Sequence, residues 1–403
     1  MADIDVYLSE LISGRLIRQS EQHVFGYGLD ATEALSLTMP ISTQSYANQA
    51  LHPVFQMNLP EGHLRQAIER ATAKQYGSDD LTMLAILGSS QIGRLGYAIA
   101  NQPVPPANDD LPDLQTLLGS DDANLFTQLL YQFATCSGVA GVQPKVLMDI
   151  KEAITLPYRS YIVKSWGSEF PQLACNEFVC LTLARNAGLT VPDFYLSDNA
   201  KLLLIKRFDV DEQNNSLGFE DFCVLQAKGT REKYDASLES CTNTIRQFVS
   251  PEQQQQALAD FFKLTLVNIL VKNGDAHLKN SGVVYRSLKH YTLGSLPDEK
   301  RQLAPIFDIV STVPYIKNDT MALSLTGSKR WPKWQVLLQF ALHHCGLNEA
   351  KAHSIADEVY QAGQLVLPLM AKLANQHPDF AVVADEMHQL ITQPHWAKRS
   401  SKQ

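Results

Sequence analysis

The chain opens with short runs in which apolar and polar positions alternate. Asp5 to Leu8, Gly14 to Ile17 and His23 to Tyr27 read as strands, parted by the polar breaks Ser9-Glu10 and Gln19-Ser20-Glu21-Gln22. After the Pro60-Glu61-Gly62 turn the period changes. Leu64, Ala67, Ile68 and Ala71 recur at i, i+3, i+4 and i+7, which predicts a helix from His63 to about Tyr76. Leu95 to Ala100 returns to a strand pattern. Asn101 to Asp110 carries Pro103, Pro105 and Pro106 among polar residues and reads as a linker, the clearest domain boundary in the chain.

Beyond the linker, Asp113 to Leu118 and Asp121 to Phe133 are helix candidates. The Gly-bearing stretch Ser137 to Lys145 follows, then strands at Val146 to Ile150 and Tyr161 to Lys164. Leu173 to Ala187 reads as a helix, with Gly188 where a left-handed C-terminal residue belongs. Lys201 to Phe208 is another strand. From about Pro251 the pattern is mostly helical, with strand-like pieces near Val283 and Ala304. The expected class is α+β. Residues 1–100 form a β-rich subdomain, 101–110 the linker, 111–210 a small sheet lobe and 211–403 a mainly helical lobe. A sheet lobe followed by a helical lobe is the order of a bilobal protein-kinase-like fold, although many α+β proteins share it.

Composition narrows the class. Of 403 residues 45% are hydrophobic and 19% charged, enough for a sizeable core and too few charges for global disorder. The formal net charge of −8 lacks the basic footprint of a free nucleic-acid binder. The one basic cluster, Lys398, Arg399 and Lys402, reads as a solvated end. Six cysteines without C-x-x-C spacing do not make a disulfide framework, and Cys175 and Cys180 read as buried thiols. The N-terminus has no apolar h-region, and the longest apolar run, Leu264 to Val271, is too short to span a bilayer. A soluble, cytoplasmic protein without a membrane partner is expected.

Candidate chemistry centres on Asn273-Gly274-Asp275-Ala276-His277-Leu278-Lys279-Asn280. An Asp followed five positions later by an Asn has the spacing of a kinase catalytic loop, where the Asp accepts the substrate hydroxyl proton and the Asn binds Mg²⁺. Phosphoryl transfer is mostly positioning and charge neutralisation, so base and metal ligand must face one phosphate. A polar turn has the same composition. Leu303-Ala304-Pro305-Ile306-Phe307-Asp308 delivers a second carboxylate, and Asn280 with Asp308 would supply metal oxygens. Lys164 ends an apolar strand, and Glu177, on the following helix, is its natural partner. Gly138 and Gly141 allow close phosphate approach, and Lys206-Arg207-Phe208 falls where a hinge would lie against adenine. Each item alone is weak. Their order is that of a kinase.

At these residues the chain resembles the HipA family of serine/threonine kinases, the toxins of bacterial HipA–HipB modules. Val139 to Lys145 resembles the family's nucleotide loop, Asn273 to Asn280 its N-G-D-x-H-x-K-N segment, and Ala304 to Asp308 its metal-Asp segment. Asn58-Leu59-Pro60-Glu61-Gly62 with Leu64-Arg65 resembles its L-P-E-G-x-x-R signature. The resemblance implies ATP and Mg²⁺ as cofactors, with Asp275 as base, Asn280 and Asp308 as metal ligands and Lys164 as phosphate contact. It places Ala140, Gly141, Val142, Gln143, Pro144, Lys145, Glu177, Lys206, Arg207, Phe208, His277, Leu278, Lys279, Asn280, Phe307 and Asp308 about the nucleotide. It further implies a cellular protein substrate, with aminoacyl-tRNA synthetases as the family's known targets. The partner would be a small helix-turn-helix antitoxin, through which alone the chain would reach DNA. Gly138 stands where the family usually has an autophosphorylated Ser. Either Ser137 takes that role one residue earlier, or the control is absent. Two other readings stay open: a catalytically silent pseudokinase acting as co-repressor, and a metal-dependent hydrolase using Asp275 and Asp308. The hydrolase leaves Lys164, Glu177 and the Gly loop unexplained.

Overall fold

A computed structural model describes residues 3–8, 11–72, 79–88, 91–102, 113–120, 125, 126, 128, 129, 154–158 and 161–396. Three sheets carry the architecture. The first is antiparallel, in the order β4-β3-β2-β1-β5, from β1 (Ile4–Leu8), β2 (Leu11–Gln19), β3 (Gln22–Tyr27), β4 (Tyr46–Asn48) and β5 (Leu95–Ile99). Ile4, Val6, Leu16, Phe25 and Tyr97 are buried, and Phe55 and Leu84 pack with them. Gly14 is required here by space, because a Cβ would overlap the Gly26 carbonyl and the Phe25 ring.

The second sheet, β6-β7-β9-β8, contains β6 (Ile154–Tyr158), β7 (Tyr161–Ser165), β8 (Phe194–Leu196) and β9 (Leu203–Lys206). Ile162, Leu203 and Ile205 share a core with the Leu173–Asn186 helix, while Val163, Leu202 and Leu204 pack with Leu64, Ile68 and Leu87 of the first hundred residues. Opposite faces of one sheet thus meet the Leu173–Asn186 helix and the N-terminal helices. Gly188 ends the helix at φ +80°, and Leu189 N–H bonds the Ala184 carbonyl at 3.1 Å.

The third sheet, β10-β11-β12, joins β10 (Gly218–Asp221), β11 (Gly282–Tyr285) and β12 (Gln302–Leu303). It fixes the loop before β11 and the one after β12 side by side. Helix Pro251–Leu270 contacts it at β12, and helices Leu238–Phe248, Trp334–His343, Glu349–Gln376 and Ala381–Thr392 complete the lobe. No described helix is long and apolar enough to cross a membrane.

The N-terminal subdomain does not stand apart. Glu220 on β10 accepts hydrogen bonds from Ser36 Oγ (2.6 Å), Leu37 N (2.7 Å) and Tyr285 OH (2.6 Å). Glu33 pairs with Arg94 and accepts from Leu288 N at 2.9 Å, which ties residues 30–41 to the chain just past β11. A buried carboxylate with three donors satisfies its lone pairs.

Several expected elements shift. β9 is shorter than Lys201 to Phe208, and β10 and the Leu238–Phe248 helix precede the expected helical onset at Pro251. The Asp80–Leu87 helix was not expected; it is buried almost all round and so carries no helical period. β6 was not expected; it carries Pro157, which a strand at the sheet edge tolerates. Of the Asp121 to Phe133 candidate, only residues 125, 126, 128 and 129 are described, and they are helical. Pro103 to Asp110, Ser137 to Lys145, Val146 to Ile150 and the tail from 397 lie outside the described residues.

Candidate active site

β7 runs between β6 and β9, with Ile162 and Val163 buried, and so carries Lys164 to the wall of a cleft. Lys164 Nζ lies 2.5 Å from Glu177 Oε1 and 2.9 Å from Asp308 Oδ1, and donates to the Phe307 carbonyl at 3.4 Å. Burial opposes the ammonium charge, but Asp308 and Glu177 outweigh it and hold Lys164 above its ordinary range. Burial, aided by Asp308, pushes Glu177 up against the pull of Lys164. Asp308 is held below the ordinary carboxylate range: burial raises it, and Lys164 more than compensates. One ammonium serves two carboxylates.

The catalytic-loop candidate leaves the Pro251–Leu270 helix through Lys272 at φ +51°. Asn273 braces the turn: its amide donates to Asn268 Oδ1 at 3.0 Å and its Oδ1 accepts from Asp275 N at 3.0 Å. Gly274 has no room for a side chain, since a Cβ would overlap the Asp319 carboxylate and the Thr320 carbonyl. The turn leaves the Asp275 side chain 48% exposed at the mouth of the cleft, where Tyr234 OH donates to its Oδ1 at 2.6 Å.

His277 N donates to Asn280 Oδ1 at 3.1 Å, which closes the following turn. The His277 ring is buried, its Nδ1 has no hydrogen-bond partner among the described residues, and desolvation holds the imidazole below its ordinary value. Lys279 pairs with Glu61, whose other oxygen lies 2.9 Å from Lys233 Nζ. Burial opposes the Lys279 charge, and Asp221 and Glu61 outweigh it. The L-P-E-G segment of the N-terminal subdomain therefore reaches the catalytic loop.

Asn280 Nδ2 donates to Asp308 Oδ2 at 2.5 Å, so two residues 28 apart in sequence sit within one cation's reach. Among the described residues no group of three His, Cys, Asp or Glu could hold a metal alone. The Asp308 carboxylate and the Asn280 amide fit Mg²⁺ shared with phosphates, since that ion usually keeps waters and takes only one or two carboxylates, although Asn280 would ligate through Oδ1, which here accepts from His277 N. They do not fit a protein-only cation cage.

The remaining expected nucleotide residues divide. Phe307 lines the cleft, and Phe208 stacks on it with centroids 4.9 Å apart. Arg207 is bonded by Asp209 and by the Gln91 carbonyl, and Lys206 is exposed. The structure puts the Leu278 side chain in the core behind the loop, so only its backbone faces the site's surroundings. Ser137 and Ala140, Gly141, Val142, Gln143, Pro144 and Lys145 lie outside the described residues. Sequence reasoning missed Tyr234, Lys233 and Asp221, and saw Glu61 as a family signature without placing it in the cleft.

The family model "HipA N-terminal domain" matches residues 4–98, and "HipA-like C-terminal domain" matches residues 137–366. The chain belongs to the HipA family. Among relatives, it is 28% identical over 364 residues to "Putative kinase Y4dM" of Sinorhizobium fredii, covering 81% of each chain. A second S. fredii protein, "Putative kinase Y4mE", is 26% identical over 339 residues, 75% of this chain and 76% of the relative. A chain from the Shewanella oneidensis MR-1 toxin–antitoxin complex of HipA, HipB and operator DNA superposes with a TM-score of 0.69. That match covers 96% of each chain at 17% identity, and it establishes the HipA-type α+β, kinase-like fold.

Proposed function

We propose that this HipA-family chain is a Mg-ATP-dependent serine/threonine protein kinase and the toxin of a toxin–antitoxin pair. The observation that carries the reading is the Asp308 carboxylate, bonded on one side to Lys164 and on the other to Asn280, five residues after Asp275. Mg-ATP supplies the phosphoryl group and the divalent charge. Lys164, held by Glu177, offers a fixed ammonium to phosphate oxygens. Asp308 would hold the metal through its carboxylate, and Asn280, beside it, would do so through Oδ1. Asp275, half exposed, is the carboxylate placed to take the proton of an acceptor hydroxyl. His277 and Lys279, the hinge residues Lys206 to Phe208 and the loop Ala140 to Lys145 complete the nucleotide surroundings in this reading.

The acceptor is a cellular protein, with an aminoacyl-tRNA synthetase as the candidate that family resemblance nominates. The S. oneidensis complex, which contains HipB and operator DNA, supports a small HipB-like antitoxin as partner and DNA contact through it. The acidic balance of the chain agrees with that division of labour. Ser137 is proposed as the autophosphorylation site, and phosphosite mapping after incubation with Mg-ATP tests it. The activity is tested by [γ-³²P]ATP transfer to lysate proteins. Wild type should label discrete proteins and Asp275→Ala none; absence of labelling by wild type overturns the reading.

A further inference from the structure

We propose that Tyr234 is a positioning residue for Asp275, and that the N-terminal subdomain holds it in place through Gln56 and Glu61. The inference rests on the kinase reading above. Tyr234 OH donates to Asp275 Oδ1 at 2.6 Å. Among the described residues, no hydrogen bond reaches Asp275 Oδ2. A half-exposed Asp side chain otherwise samples several rotamers. Fixing one oxygen sets the plane of the carboxylate and leaves the other facing the acceptor. That is orientation supplied before the reaction begins.

The surroundings of Tyr234 are those of a strut. Its ring is edge-on to His277, with centroids 5.2 Å apart, and Lys233 Nζ lies 5.4 Å from its centre. The segment that carries it is tied from three directions. From the N-terminal subdomain, Gln56 Oε1 accepts from Thr230 N at 3.1 Å and Glu61 Oε2 lies 2.9 Å from Lys233 Nζ. From the catalytic loop, Leu278 N donates to the Lys233 carbonyl at 3.1 Å. From the loop beyond β12, Lys329 Nζ donates to the Tyr234 carbonyl at 3.1 Å, and the Ser324 carbonyl accepts from Leu238 N at 2.9 Å. A plug that must swing out of the acceptor's way would sit on a loosely held segment. This one is pinned, and two of its pins come from another subdomain. Glu61 therefore reaches the base by one route, through Lys233 and Tyr234, and the nucleotide wall by a second, through Lys279.

The test uses the full chain, [γ-³²P]ATP with Mg²⁺, and whole-lysate protein as acceptor. Tyr234→Phe should lower kcat about tenfold or more while KM for Mg-ATP stays within about twofold. The melting temperature should stay near wild type, which shows that the variant is folded. Glu61→Gln should lower kcat and raise KM for Mg-ATP. In the Tyr234→Phe background it should lose most of its kcat effect and keep its KM effect, because only the first route runs through Tyr234. Wild-type kcat in a folded Tyr234→Phe, or kcat losses that multiply fully in the double variant, would overturn the proposal. So would phosphate on Tyr234, which would make the hydroxyl an acceptor. If wild type transfers phosphate in an Asp275-dependent manner and Tyr234→Phe does so with the wild-type kcat, only this inference fails. No transfer by wild type removes both it and the proposed function.

Discussion

Two charge clusters line the cleft, and they are built in opposite senses. On one wall a single ammonium, Lys164, serves two carboxylates, Glu177 and Asp308. On the other a single carboxylate, Glu61, serves two ammoniums, Lys233 and Lys279. The first wall is short of positive charge, which a divalent cation would supply in the proposed function. The second offers lysines whose partner comes from a separate subdomain. Removing the shared member of either cluster, Lys164 or Glu61, leaves two like charges uncompensated in a largely buried place, which costs more than a pair itself contributes. The two walls differ in purpose, and substitutions can separate them.

The largest effect is expected on the first wall. Asp308→Asn keeps the shape but removes the charge that pairs with Lys164 and that the proposed metal would share. It should lower phosphoryl transfer by about a hundred- to a thousandfold in a radiolabel assay. A fall of less than about tenfold would move the metal away from Asp308. Next comes the turn between the walls. Gly274→Ala must displace Asp319 and the Thr320 carbonyl, and should cost about 1–3 kcal/mol of stability in urea titration, with transfer reduced as well. On the second wall, Glu61→Ala strands two lysines. It should destabilise the chain by about 2 kcal/mol, less than a fully buried pair would lose because Glu61 is 37% exposed. An unchanged urea midpoint would show that the subdomain contact carries no energy.

The first wall was legible in the sequence because its members follow one another in a fixed order. A strand, a helix and the loop after β12 each place one polar residue beside apolar neighbours, and the D-x-x-x-x-N spacing brings in Asn280, which bonds Asp308. The second wall was not. Glu61 and Lys279 lie 218 residues apart, and only the packing of one subdomain on another brings them together. Tyr234 sits in a short turn-rich segment without apolar period, so nothing local marks it. Secondary structure failed for related reasons. The Asp80–Leu87 helix is buried on nearly every side, and β10 is short and buried throughout, so neither shows the alternation on which a sequence reading depends. The Leu238–Phe248 helix does carry an apolar face and a Ser237 cap, a signal present in the sequence and overlooked.

The smallest effect concerns the subdomain that supplies Glu61. Burial holds His52 at about 4, against an ordinary value of 6.5. The unfolded chain therefore binds the proton first. Stability from this group is complete above about pH 6.5 and is lost as pH falls toward 4. His52→Gln should flatten that limb in thermal melts, and an unaltered limb would assign the acid sensitivity to another group.

The central claim, that Asp275 acts on a nucleotide held by the opposite wall, is tested most directly by measuring binding and transfer on the same protein. Mg-ATP affinity by calorimetry and [γ-³²P]ATP transfer to lysate protein should be determined for wild type and Asp275→Asn. The account predicts similar affinities and transfer by wild type alone. Equal transfer by Asp275→Asn, or a wild type that binds Mg-ATP and labels nothing, would contradict it.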